Sequence, residues 1–329
     1  MLRNSMKKIL FSVTALFAVV SLVAAGCSDD NDNENVSSAD KPSIVVTTNI
    51  LGDVVSNMVG DSFNVEVIMP PGSDPHDFQA SAQQVEKMMS ADLLVVNGAN
   101  FEEGMLSVIE SAEADGVMVF EAISVVSQLE GSDDHGHDDH EGHDDHEGHD
   151  HGGIDPHFFT DPARMAVVVE ELSEFLVANF PNVDQGFVST ANDYAQELID
   201  LDEEVNEILS EIPQEGKVLV TNHAVFAYFA DSYGFEILGE IIPSASTLSS
   251  ANAQQLASLA DELSSNSVKA IFADASASDT LARTLAAEVG GIEVITLFTE
   301  SLGEPGSSGA NYIEMVKFNA QAIASGLVG

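Results

Sequence analysis

Residues 186–212 run without a proline or an internal glycine, and Pro213 stops them. Phe187, Tyr194, Leu198, Leu201, Val205, Ile208 and Leu209 recur there at helical intervals, which predicts one long helix with an apolar stripe. Strand and helix signals alternate on either side. Upstream, β-branched runs predict strands at 43–47, 64–69, 93–97 and 117–120. Helices are expected at 50–59 with Gly60 as the stop, from Ser81 onward, at 101–114, and at 162–180 with Asp161 as N-cap. Downstream, strands are predicted at 218–221, 235–242, 268–274 and 293–297, with helices at 225–233, 253–264, 280–289 and 312–327. Such alternation predicts an α/β fold: two similar lobes, each with a mainly parallel sheet flanked by helices, joined by one long rigid helix.

A low-complexity insert interrupts the first half at 131–153. It carries His135, His137, His140, His143, His146, His149 and His151, and the hexapeptide DDHEGH at 138–143 repeats at 144–149. Such a segment cannot bury apolar surface, so it is expected to form a solvated loop. Neutral imidazole is the commonest protein ligand for zinc, copper and nickel, so the first expectation is an auxiliary metal-collecting loop. The alternative is an acidic loop that is merely rich in histidine.

The amino terminus carries Arg3, Lys7 and Lys8, then an apolar run from Ile9 to Val23, then Ala24-Ala25-Gly26-Cys27. This pattern is a secretory signal, not a spanning helix of the mature protein. Small residues ending at a cysteine resemble a bacterial lipobox, although Ala24 stands where leucine is usual. Cys27 is therefore the expected site of lipidation, anchoring the chain to the membrane; the alternative is a plain cleaved signal. It is the only cysteine, so no intrachain disulfide can form. Residues 28–42 read as an acidic disordered tether. The expected plan is thus 1–27 signal and lipidated cysteine, 28–42 tether, 43–185 first lobe, 186–213 linking helix and 214–329 second lobe.

Charge removes one class of partner. Asp and Glu number 55 against 10 Lys and Arg, for a net charge of −45, and such a surface repels nucleic acid. The excess runs through the whole chain, which fits either a saline habitat or an ordinary acidic secreted protein.

Three histidines lie outside the tract. His76 sits in a loop after a predicted strand, His157 in an Asp-Pro-His segment, and His223 at the end of the strand at 218–221. Ligands bind at the carboxyl ends of strands in open parallel sheets, and His76 and His223 occupy such places, one in each half. A lone loop histidine is usually just solvated, but three beside a His-rich tract point jointly to a metal. A zinc tetrahedron would need a fourth ligand or water, and Asp274 and Glu300 stand at strand ends in the second half.

Five ordered motifs carry a resemblance: VVTTNILGD at 45–53, PGSDPHDFQ at 71–79, DPHFFTDP at 155–162, TNHAVFAYF at 221–229 and FTESLG at 298–303. From about residue 43 onward the chain resembles the metal-binding solute-binding proteins of ABC importers, the ZnuA/TroA-like group. The resemblance implies two lobes joined by one rigid helix, with a metal in the inter-lobe cleft. His76, His157, His223 and Glu300 fall on the family's ligand positions; Glu300 stands where aspartate is common. Manganese-type members usually have a carboxylate at the position of His223, so a third imidazole favours zinc.

The implied function is capture of Zn2+, as cargo rather than cofactor, by an extracytoplasmic monomer that is lipid-anchored to the outer face of the cytoplasmic membrane or else periplasmic. Its partners would be an ABC permease membrane subunit and that permease's cytoplasmic ATPase. Asp74, Asp77 and Asp155 are candidates to orient the ligand imidazoles. No catalysis is expected. The alternatives are a manganese-binding importer component, a secreted zinc-dependent hydrolase using Glu300 as base (the chain has no HExxH motif), and an adhesin that uses metal only to fold.

Overall fold

A computed structural model describes residues 41–131 and 153–328. The signal, Cys27, residues 28–40 of the expected tether and all seven histidines of the tract lie outside the described residues. In the first half the elements are β1 (Ser43–Val46), α1 (Asn49–Val59), β2 (Asn64–Val67), α2 (Ala82–Met89), β3 (Leu93–Val96), α3 (Leu106–Ala114), β4 (Met118–Glu121) and α4 (Pro162–Asn179). The long helix α5 (Phe187–Leu209) follows. The second half holds β5 (Val218–His223), α6 (Ala227–Tyr233), β6 (Glu236–Ile242), α7 (Ala253–Ser265), β7 (Ala270–Asp274), α8 (Thr280–Val289), β8 (Glu293–Leu297) and α9 (Tyr312–Val328).

Each half builds one four-stranded parallel sheet, ordered β2-β1-β3-β4 and β6-β5-β7-β8. The two orders are the same path through different strands. In both, the first strand of the half is central, and the chain steps to one side of it before crossing to the other. That reversal leaves a crevice at the carboxyl ends of the central strands, where ligands bind in such sheets.

The strands are short and apolar because both faces are covered. Ile44 and Val46 of β1, with Leu93 and Val95 of β3, point into a core shared with α1, α4, α5 and α9. The alternate residues Val45, Leu94 and Val96 point the other way, against Met88 and Ala112 of α2 and α3. In the second sheet Leu219, Ala270 and Phe272 join the shared core, while Val220, Ile271 and Ala273 face α7 and α8. The period-2 alternation of side chains thus sends one set of each sheet to the common core and the other to its own outer helices.

The helix α5 runs through that common core. It packs on α4, α1 and α9, and buries Leu198, Leu201, Val205 and Leu209. Leu209, Leu219 and Phe272 belong to the same apolar cluster as Ile44 and Leu93, so both sheets lean on one continuous interior.

Several predicted boundaries move for identifiable reasons. The helix expected over 101–114 starts only at Leu106. Before it, Ala99 and Asn100 take positive φ, and the buried Glu102 carboxylate accepts hydrogen bonds from the Thr47 hydroxyl at 2.6 Å and the Asn97 amide at 2.7 Å. Holding that turn takes the chain off a helical path. The strand expected from residue 268 starts at Ala270, because Ser267 is left-handed and the Val268 amide returns to the Leu263 carbonyl. The strand ending at residue 221 in the expectation extends to His223. Asp161 does cap α4, accepting from the Ala163 and Arg164 amides.

Among the described residues no helix is long and apolar enough to cross a membrane. Leu198 is fully buried in α5. Leu198→Ala is expected to cost about 2–5 kcal/mol of stability, through lost burial and a cavity. Urea unfolding of the metal-free protein checks this; a loss under about 1 kcal/mol would show that α5 does not tie the core together.

Candidate metal centre

Four side chains from four separate segments meet between the sheets. The Nε2 atoms of His76, His157 and His223 lie 2.9, 3.1 and 3.0 Å from one oxygen, Glu300 Oε1. One ligand atom from each residue falls within 4.8 Å of the others, and all four residues are buried. These are the four positions picked out in the sequence.

His76 belongs to the loop after β2. Its backbone amide donates to Asp74 Oδ1 at 2.9 Å, and its Nδ1 faces Glu103 Oε1 at 3.1 Å. Phe101 meets the ring edge-on at 5.1 Å between centroids. His157 follows Asp155, whose Oδ1 accepts from the His157 amide at 2.8 Å and stands 2.9 Å from Nδ1. The Asn97 side-chain amide donates to the Pro156 carbonyl at 2.9 Å, and the Tyr228 hydroxyl to the Asp155 carbonyl at 2.8 Å. In both imidazoles a carboxylate on Nδ1 leaves Nε2 turned to the centre, the arrangement that orients metal-ligating histidines.

His223 ends β5, a central strand, and the Thr221 hydroxyl donates to its carbonyl at 2.8 Å. Its two ring nitrogens are buried without a hydrogen-bond partner, since Nε2 approaches Glu300 off the angle a hydrogen bond needs. Glu300 lies just beyond β8. The next residue, Ser301, is gripped from the first half: its hydroxyl accepts from Asn49 Nδ2 and from the Gly72 amide, each at 2.8 Å. The Leu302 amide donates to Asn49 Oδ1 at 2.7 Å. The second carboxylate oxygen of Glu300 is buried and unpartnered. Buried polar atoms without partners are uncommon and mark a place for a ligand. Three imidazoles and a carboxylate that converge this closely, with a ring nitrogen of His223 and an oxygen of Glu300 left unpartnered, fit the donor set for a divalent cation.

Asp274, the other strand-end carboxylate considered, falls outside the group. It accepts from the Thr299 hydroxyl and the Ser276 amide and feels the charges of Glu300 and His223. Burial, then the Glu300 charge, pushes its pKa up to about 6. Of the three aspartates expected to orient imidazoles, Asp155 does so, Asp74 holds the His76 backbone, and Asp77 is exposed. Glu103 and Asn97 were not singled out in the sequence. The acidic pair Glu102-Glu103 after a strand was the available signal, since one of the pair turns inward and the other to His76.

The electrostatics are those of a cluster of opposite charges out of water. Burial alone would lower the His157 pKa, but the Asp155 and Glu300 carboxylates outweigh it and push the imidazole up to about 9. His223 is raised against the same burial cost, chiefly by Glu300. Burial would raise the Glu300 carboxyl, but His223, His157 and His76 hold it well below the usual range.

The family model described as ZnuA, zinc-uptake complex component A, periplasmic, matches residues 44–326. A manganese ABC transporter substrate-binding lipoprotein, PsaA of Streptococcus anginosus, is 28% identical over 98% of this chain and 99% of its own length. The manganese-binding lipoprotein MntA of Halalkalibacterium halodurans is also 28% identical, with the same coverage. Among solved structures, the periplasmic zinc-binding protein TroA from Treponema pallidum superposes with a TM-score of 0.75 at 28% identity, over 87% of this chain and 99% of that one.

The pKa shifts carry opposite signs with pH. Stability from the raised His157 imidazole is fully present below its ordinary value of 6.5 and is lost as pH rises through about 9, and the raised His223 contributes with the same sign. Stability from the lowered Glu300 is present above its ordinary value of 4.5 and is lost as pH falls. The unfolding free energy of chelator-treated protein is therefore expected to decline between pH 6.5 and 9, and more shallowly in Glu300→Gln. Parallel pH profiles for the two proteins would refute this coupling.

Proposed function

The chain belongs to the zinc-uptake complex component A family, and from that premise we propose that it captures Zn2+ outside the cell and delivers it to an ABC-type importer. At the coarser level it is an extracytoplasmic metal-binding substrate-binding component, of the kind that works with a membrane permease and an ATPase. The ligands of the proposed site are His76, His157, His223 and Glu300. The donor set is the observation that carries the choice of zinc: three imidazole nitrogens and one carboxylate suit a borderline cation of tetrahedral habit. Harder Mn2+ favours sites richer in oxygen.

Binding would exchange protons for the ion. The carboxylates that raise His157 and His223 favour a positive charge at the centre, and zinc supplies it once the imidazoles are deprotonated. Affinity therefore falls as pH drops. The family relationship supports a binding role rather than an enzymatic one, and all four donors here are protein side chains converging on a single point.

The lipid anchor at Cys27 and the placement on the outer face of the cytoplasmic membrane are part of the proposal, supported by relatives named as lipoproteins. The His-rich tract is proposed as the auxiliary collector of ions. A second reading, manganese as cargo, is favoured by the names of the curated relatives matched over nearly their full length.

Elemental analysis of protein purified without added metal is expected to find zinc. His223→Ala should weaken the tight site by more than about a hundredfold, exceeding the effect of losing an orienting partner. Manganese in the wild type would favour the second reading, and undiminished tight zinc in the variant would defeat the site assignment. Deleting residues 135–151 should lower the total zinc bound yet leave the tight site; calorimetry showing the tight site lost would end that division of labour.

A further inference from the structure

The loop after β6 touches the ligand-bearing segments of both halves. At its root, the Ser244 carbonyl accepts from the Ala224 amide at 3.1 Å, one residue beyond His223. At its far side, the Thr247 hydroxyl donates to Asp74 Oδ2 at 2.7 Å. The other oxygen of that carboxylate, Oδ1, accepts from the His76 amide at 2.9 Å. One carboxylate therefore joins a loop of the second sheet to the backbone of a proposed ligand beside the first.

The loop's own cohesion is polar. The Ser246 amide donates to Ser244 Oγ at 3.1 Å, the Leu248 amide to Ser246 Oγ at 3.2 Å, and the Ser249 hydroxyl to Ser244 Oγ at 2.9 Å. The residues from Ser244 to Thr247 are half-buried, and Leu248 beyond them is 55% exposed. A segment held by hydroxyls rather than apolar packing opens at lower cost than the core around it. The other ties between the halves near the centre differ in kind. Asn49, Gly72, Ser301 and Leu302 form a mesh of short bonds that secures the neighbours of Glu300. The Thr247–Asp74 contact is a single hydroxyl bond on a half-buried loop, so it can break without disturbing that mesh.

We propose that residues 244–249 form a clasp over the ion site, with Thr247 a positioning residue that acts through Asp74 to hold His76 in place and slow the ion's escape. This rests on the metal-capture reading above. With the hydroxyl in place, Asp74 is fixed at both oxygens and the His76 backbone is held; without it, Asp74 can turn and the His76 loop can lift. The clasp thus acts on the rate of release more than on the number of ions held.

The test uses the full chain loaded with one equivalent of Zn2+ and mixed in a stopped-flow instrument with excess chelator. Thr247→Val is expected to release zinc about tenfold faster, the scale of one hydrogen bond lost from the closed state. Thr247→Ser should restore the wild-type rate, and metal-free melting temperatures should match, a pattern that a merely structural role would not give. If the valine variant folds poorly, Thr247→Ala carries the same expectation. Tight zinc with release rates within twofold of each other across the variants overturns the clasp alone, as does a serine variant as fast as the valine one. A wild type that binds no stoichiometric zinc overturns the clasp and the capture reading together.

Discussion

A carboxylate oxygen surrounded by three imidazole nitrogens, all out of water, is the constraint on which the rest of the structure turns. Burying one such charge alone is costly, and burying several is tolerable only when each has a partner in good geometry. Here the partners come from chain positions far apart: His76 from a loop of the first half, His157 from the segment leading into α4, His223 and Glu300 from the second. Each therefore needs an independent anchor. Asp74 and Glu103 serve His76, and Asp155 and Asn97 serve the His157 segment. The strand β5 itself carries His223, and Asn49 reaches across to hold the residues after Glu300. The fold makes this possible by running the same strand path twice, so that the carboxyl ends of two sheets supply the loops. The common core through α5 then keeps the sheets in register with one another.

Much of this was legible in the sequence because it depends on local pattern. Strands buried on both faces appear as short β-branched runs, and α5 announces itself by apolar spacing and the lack of glycine or proline. Asp161 before Pro162 reads as a helix start and is one. The site was legible for a different reason: outside the tract the chain has only three histidines, and each stands beside a strand end or in a turn-forming Asp-Pro context. Their meeting could not be read from spacing, and the family resemblance supplied it. Nothing local distinguishes Asn97, and the only mark of Glu103 is its pairing with Glu102 after a strand, a weak signal in so acidic a chain. The chain has many acidic residues, and only the turn enforced by Glu102 aims Glu103 at His76. The same turn explains why a helix expected from residue 101 begins five residues later. Asp74 looked like a candidate to orient a ring and instead holds backbone, a distinction that depends on the angle of a single loop.

The charge balance at the centre explains how one place can suit both protons and a divalent ion. The Asp155 and Glu300 carboxylates make a region of negative potential inside a low-dielectric interior. Burial opposes a charge on either ring, yet Asp155 and Glu300 raise His157, and Glu300 with Asp274 raises His223, so the interior favours positive charge at this point. A bound cation would supply that charge in place of protons and set it against the same carboxylates. Among divalent ions, the zinc reading we propose rests on the donors, because three nitrogens against one oxygen suit a softer cation.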